Sequence, residues 1–197
     1  MSAAFCRVRP IYIVVPDGLA ADGLGATLPE PSFVYRQVLD HVSRMAARGS
    51  EIYLAPGNRF GGRLFEHEAG QRYLSVIRAD ARILTPRFET AAYVDTYGNA
   101  AILRDYLRTN RLWPLPTVDL VCAWIHSARA EYCFRTLGYG IRHVHRVGYL
   151  PVPGEPIVSR LWYYHYRGLH VLYEALAMLR ELASDPRGGT TRPWRLI

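Results

Sequence analysis

The sequence predicts a three-layer α/β/α domain, Rossmann-like, with a mostly parallel sheet covered by helices on both faces. Three observations predict it. Residues 11–15, 51–55 and 118–123 are short, nearly unbroken apolar runs, as strands buried on both faces require. Helical patterns lie between them, long enough for right-handed crossovers. Of the 197 residues, 50% are hydrophobic and 21% charged, which supplies one large core and excludes a disordered chain.

Residues 11–15 (IYIVV) open the domain as a buried strand closed by Pro16-Asp17-Gly18. Residues 18–31 are rich in Gly, Ala and Pro and read as a long, shaped loop. Ser32 caps a helix running to about Arg48, with Phe33, Val34, Val38, Val42 and Met45 on a helical period and Gly49 as its stop. Residues 51–55 (EIYLA) form a second strand, closed by Pro56-Gly57-Asn58. A helix is expected over 64–77 and a weak strand over 81–84, while 85–95 carry no clear pattern. Ala100, Leu103 and Leu107 place a helix over 96–109, and Pro114 and Pro116 mark a connection after it. Residues 118–123 (VDLVCA) are the strongest later strand, followed by a helix over 127–137 that Gly138 ends. Residues 141–147 (IRHVHRV) alternate, as a strand nearer an edge would. A closing helix is expected over 161–182, so residues 1–183 form one domain and 184–197 a loosely held tail.

The charge is +7, from 24 basic residues against 17 acidic, and every basic residue is arginine. Arg36, Arg48, Arg63, Arg78, Arg104 and Arg129 are scattered singly, so no nucleic-acid track is expected, only a pocket for a small anion. No apolar run approaches the ~20 residues of a membrane span, and residues 1–10 lack a signal-peptide core. Cys6, Cys122 and Cys133 are too few for a disulfide framework, and a cytoplasmic setting is expected. His143, His145, His165 and His170 have no second ligand at metal spacing, so no metal is expected. Gly23 and Gly25 lack the third glycine of a dinucleotide fingerprint, and without lysine there is no P-loop.

In parallel sheets ligands sit beyond the carboxyl ends of the strands. That selects three loops. The first opens with Asp17 and Gly18. The second holds Gly57, Asn58, Gly61 and Gly62, whose backbone N–H groups can approach an anion, with Arg59 and Arg63 adding charge. Glu66 and Glu68 follow it at a helix start, where carboxylates suit the dipole; spaced by two, they do not share a face. The third loop carries His126 and Arg129, an imidazole and a guanidinium at a helix N-terminus, suited to an anion that gains or loses a proton. The aromatic run from Trp162 to Tyr166, flanked by Arg160 and Arg167, reads as core, as a homodimer contact, or as a stacking wall for a ring.

Together these residues resemble the YdcF-like family, a group of domains of unknown function that includes SanA and ElyC. The resemblance lies in His126-x-x-Arg129-Ala130 after strand 118–123, with Phe134 and Gly138 following. Thr96-Tyr97-Gly98-Asn99-Ala100 is similar to the family's T-x-E-N-A motif, with Gly98 in place of its glutamate. Ala55-Pro56-Gly57-Asn58 stands where the family has S-G-G, and Glu68-Ala69 at its E-A pair. The match spans residues 11–182 and implies a Rossmann-like fold with S-adenosylmethionine as a cofactor. On this reading the chain is a small-molecule enzyme for an adenosyl-type or phosphorylated anion, with group transfer as its chemistry. Asp17, Gly18, Gly57, Asn58, Glu68, Thr96 and Asn99 form the binding set, and Asp17 or Glu68 hold hydroxyl or amino groups. Arg129 pairs with a carboxylate or phosphate, and His126 transfers a proton. A phosphoester or pyrophosphate hydrolase or transferase, and a non-catalytic metabolite-binding module, are the alternatives.

Overall fold

The computed structural model describes residues 10–90, 92–183 and 194–196. Strands β1 (Ile11–Val14), β4 (Glu51–Leu54), β5 (Arg82–Leu84), β7 (Val118–Ala123) and β8 (Ile141–Val147) form one parallel sheet in the order β5-β4-β1-β7-β8. Taken in chain order of the sheet strands this is the 3-2-1-4-5 order of a Rossmann-like fold, and its switch point lies between β1 and β7. Side chains alternate across β1: Tyr12 and Val14 enter one apolar cluster, Ile13 and Val15 the other. Helices α1 (Phe33–Met45) and α2 (Glu66–Ile77) cover the first face. Helices α3 (Thr96–Thr109) and α4 (Ser127–Thr136) cover the second. The three layers are thus those expected, and β8 lies at the sheet edge as its alternation requires.

Four local expectations need correction. The loop over 18–31 contains a hairpin, β2 (Leu19–Ala21) with β3 (Thr27–Pro31). Asp22 turns it by accepting from the backbone N–H groups of Leu24 and Ala26 (2.9 and 2.8 Å), and Gly25 takes a positive φ of 85°. Helix α1 ends at Met45 rather than near Arg48, because Arg78 donates to the carbonyls of Ser43 and Ala46 and closes the helix end.

The closing segment is two helices, a 3₁₀ helix (Ser159–His165) and α5 (Arg167–Ala183), with Tyr166 extended between them. The break lets Tyr163 stack on Tyr173 (4.5 Å) and Tyr164 on His170 (4.1 Å). In one straight helix residues ten apart stand ~15 Å apart along the axis. Residues 194–196, expected in a loose tail, form β9 (Trp194–Leu196), which pairs antiparallel with β6 (Phe88–Thr90). Leu196 packs beside Phe88, Val94 and Ile102. The rest of that expected tail, like Cys6, lies outside the described residues.

Helix α5 is turned the unusual way. His170, Glu174, Ala177 and Glu181 face inward, while Leu169, Leu172, Leu176 and Leu179 are exposed. Glu181 accepts from the neighbouring Arg180 (2.8 Å), and Glu174 is explained by what it meets at the site. Among the described residues no helix is long and apolar enough to cross a membrane.

Ser32 ties the fold to the site. Its hydroxyl accepts from the Tyr35 N–H (3.1 Å) as the cap of α1 and donates to the Asp17 carbonyl (2.6 Å), all in the interior. Replacing Ser32→Ala is expected to cost about 1–2 kcal/mol of stability, read as a lower urea midpoint at unchanged slope. An unchanged midpoint would contradict this role.

Candidate active site

Both strands flanking the switch point end in a functional group. After β1, Val15 and Pro16 carry the chain to Asp17, which is buried. After β7, Trp124 and Ile125 carry it to His126, the residue preceding α4. Asp17 Oδ2 accepts the Ala123 N–H (3.3 Å), so the carboxylate is held by the end of β7 itself. Asp17 Oδ1 lies 3.3 Å from His126 Nδ1 and accepts from the Tyr164 hydroxyl at 3.5 Å. On the other side of the imidazole, Nε2 lies 2.9 Å from Thr96 Oγ1, the first residue of α3.

The three residues therefore form a line of carboxylate, imidazole and hydroxyl. An ionised carboxylate only accepts, so Nδ1 carries the imidazole proton and Nε2 is left to accept from Thr96. Such a line turns a hydroxyl into a nucleophile or a proton donor. Thr96 and His126 are each under 5% exposed, yet both line a narrow hollow of about 40 Å³ above the strand ends.

Two carboxylates line this hollow, Asp95 and Glu66, and neither was among the expected binding residues. Glu66 Oε1 accepts the Gly18 N–H (2.5 Å) and its Oε2 the Asn58 N–H (2.5 Å). Gly57 leaves room for it: a Cβ there would collide with the Glu66 carboxylate. Burial pushes the Glu66 carboxyl up to about 7, against the two backbone donors that pull it down. The sequence signal was an acid at the first position of a helix that follows a glycine-bearing loop, where the side chain can fold back on loop N–H groups.

The remaining expected residues divide. Asn58, Thr96, Asn99, His126 and Arg129 line the hollow. The Asn58 amide donates to the Val94 carbonyl and accepts the Val94 N–H, both at 2.8 Å, which fixes the 92–95 segment. The Asn99 amide nitrogen donates to the carbonyls of Asp95 (2.6 Å) and Pro56 (3.2 Å). Asp17 stands behind His126, and Gly18 and Gly57 serve Glu66 rather than the hollow. Glu68 is set apart from it: the carboxylate accepts the Phe65 N–H (2.9 Å) and caps α2.

Arg129 corrects an expectation. It was to receive a ligand anion, but Nε and Nη2 are taken by Glu174 of α5 at 2.7 and 2.8 Å. Both partners are buried, which leaves neither charge uncompensated. Burial works against the Glu174 charge, but the bonded Arg129 guanidinium helps hold its carboxyl below the ordinary range. The inward acid of α5 is therefore the internal counterion of the site.

The inner hollow alone cannot hold a molecule the size of S-adenosylmethionine. The hollow is far below the ~300 Å³ of small-molecule sites. Asp17, Glu66 and Arg129 already have their partners in the chain. Among the described residues no three His, Cys, Asp or Glu side chains converge as a metal site would require.

No protein-family profile matches the chain, and no curated protein matches it. The chain is similar in structure to TcdA (CsdL) at 12% identity, over 88% of each chain, with a TM-score of 0.30. It is similar also to the E. coli tRNA N6-threonylcarbamoyladenosine dehydratase TcdA in complex with AMP, at 11% identity over 88% of this chain and 87% of that one, with a TM-score of 0.28. Scores this low leave the function to be read from the chain's own residues.

The buried Glu66 makes stability depend on pH. Its carboxyl binds a proton more tightly folded (about 7) than at its ordinary value of 4.5. The folded chain thus holds a proton that the unfolded chain releases between those values, and stability falls as pH rises. The full loss is about 3 kcal/mol, complete above the folded value. Burial also holds His67 and His170 neutral, with values lowered to about 4, and these act in the opposite sense below pH ~6.5. Comparison with Glu66→Gln isolates the carboxyl: from about pH 5 to about pH 8 the wild type is expected to lose stability relative to the variant. Parallel curves in urea titrations would contradict it.

Proposed function

We propose that this chain is an enzyme that hydrolyses or transfers an ester or anhydride group of a small anionic molecule. The observation that carries the reading is the 2.9 Å contact between Thr96 Oγ1 and His126 Nε2, with Asp17 behind the imidazole. Thr96 supplies the attacking oxygen. Its proton passes to His126 Nε2 as the new bond forms, and Asp17 stabilises the imidazolium. His126 then returns the proton to the leaving group as the old bond breaks, and water releases the group from Thr96 through the same imidazole. Glu66, titrating near neutrality, is a second proton store facing the same hollow.

This reading departs from S-adenosylmethionine-dependent transfer: of the carboxylates that line the hollow, Glu66 is bound to the Gly18 and Asn58 N–H groups, and Asp95 to the Gly98 N–H and Arg180. It is tested by screening hydrolysis of p-nitrophenyl acetate, p-nitrophenyl phosphate, bis-p-nitrophenyl phosphate, ADP and inorganic pyrophosphate. The wild type is expected to turn over at least one. Thr96→Val and His126→Gln are each expected to lower kcat by about a hundredfold or more, while Thr96→Ser retains activity. Turnover that survives both losses overturns the reading. Tight binding of a screened compound with no turnover favours a binding module instead.

A further inference from the structure

A second hollow, of about 220 Å³, lies beside the first. Asn58, Phe60 and Tyr93 line both, so the two rings are the partition between them. The rest of its wall includes Arg59, Gly61, Phe65 and Arg160, and none of its lining residues is Asp or Glu. Arg160 lies over the Tyr93 ring, Cζ 4.0 Å from the centroid, and Arg59 over Phe65 at 5.7 Å. Neither guanidinium is bound to a carboxylate among the described residues.

Several other arginines are bound to carboxylates of the chain. Arg142 grips Asp119 with two nitrogens (2.9 and 2.7 Å), Arg78 grips Asp80 likewise (2.8 and 3.1 Å), and Arg129 grips Glu174. Two unpaired guanidinium groups on one acid-free hollow make a local positive potential that an anion would relieve. The loop that presents one of them is held in an unfavourable shape. Phe60 has a φ of 47°, in the left-handed region that is unfavourable for a bulky residue. Thr27 Oγ1, donating to the Phe60 carbonyl (2.8 Å), and the Gly62 N–H, donating to the Arg59 carbonyl (2.6 Å), keep it there.

We propose that the outer hollow is the seat of the phosphoryl group of a small phosphorylated substrate, gripped by Arg59 and Arg160. The bond to be cleaved then reaches past Tyr93 toward Thr96. This names the substrate class of the site described above and rests on that reading. A carboxylate has two oxygens, enough for one arginine fork. A phosphate offers three, enough for two forks at once. The volume approaches the ~300 Å³ lower end of small-molecule sites, and the Phe60, Phe65 and Tyr93 rings suit a planar group attached to the phosphate.

The test is isothermal titration of the full chain with inorganic pyrophosphate, AMP, adenosine and citrate. Pyrophosphate and AMP are expected to bind, with adenosine and citrate at least tenfold weaker. Arg59→Gln and Arg160→Gln are each expected to weaken AMP about tenfold and together about a hundredfold. Both arginines are exposed, and unfolding temperatures matching the wild type establish that the variants are folded. Absence of binding by both phosphates, citrate as tight as pyrophosphate, or AMP affinity unaffected by the double replacement overturns the proposal. Full turnover in Thr96→Val alongside lost AMP binding in the arginine variants instead defeats the threonine relay and leaves the phosphate seat standing.

Discussion

The buried carboxylate of Asp17 is the constraint on which the rest of the site depends. It sits where β1 ends and accepts from the last backbone N–H of β7, so it pins the two strands together where the sheet order reverses. A carboxylate in that position cannot be left without donors, since an unpaired buried charge costs several kcal/mol. The chain supplies Ala123 N–H, His126 and Tyr164, drawn from β7, its following loop and the 3₁₀ segment. The same requirement that holds the fold together therefore orients the imidazole, and the imidazole in turn meets Thr96.

Charge is distributed in two shells around this point. Close to the strand ends lie the acids Asp17, Glu66 and Glu174, each held by donors from the chain. Farther out, across the Phe60 and Tyr93 rings, lie Arg59 and Arg160. An anion entering from outside meets positive charge before it meets the hydroxyl. The acids behind the relay are neutralised in place by Arg129 and by backbone N–H groups, so they do not repel it at full strength.

The sheet was legible because its strands are buried on both faces and nearly uniform in chemistry, and because Ser32 marks the start of α1 and the helical spacing of α3 marks both its ends. His126, Thr96, Asn58 and Asn99 were legible as a set because the strand-end rule and the motif spacing select loops, and those loops converge. What was not legible depends on partners far apart in sequence. The pairing of Arg129 with Glu174 joins residues forty-five apart, on a helix that turns its leucines outward. Glu66 and Glu68 look alike in a helix start, and only the position of Gly57 and Gly18 decides which of them folds back on the loop. The break at Tyr166 likewise follows from ring stacking across it, which no local propensity records.

The most direct measurement is the tautomer of His126, read by long-range ¹⁵N–¹H correlation NMR at neutral pH with Asp17→Asn as the reference variant. A proton on Nδ1, facing Asp17, with Nε2 bare toward Thr96, is the result this account predicts, together with a change of tautomer or loss of order in the variant. A proton fixed on Nε2 in the wild type would make the imidazole a donor to Thr96 and would contradict it.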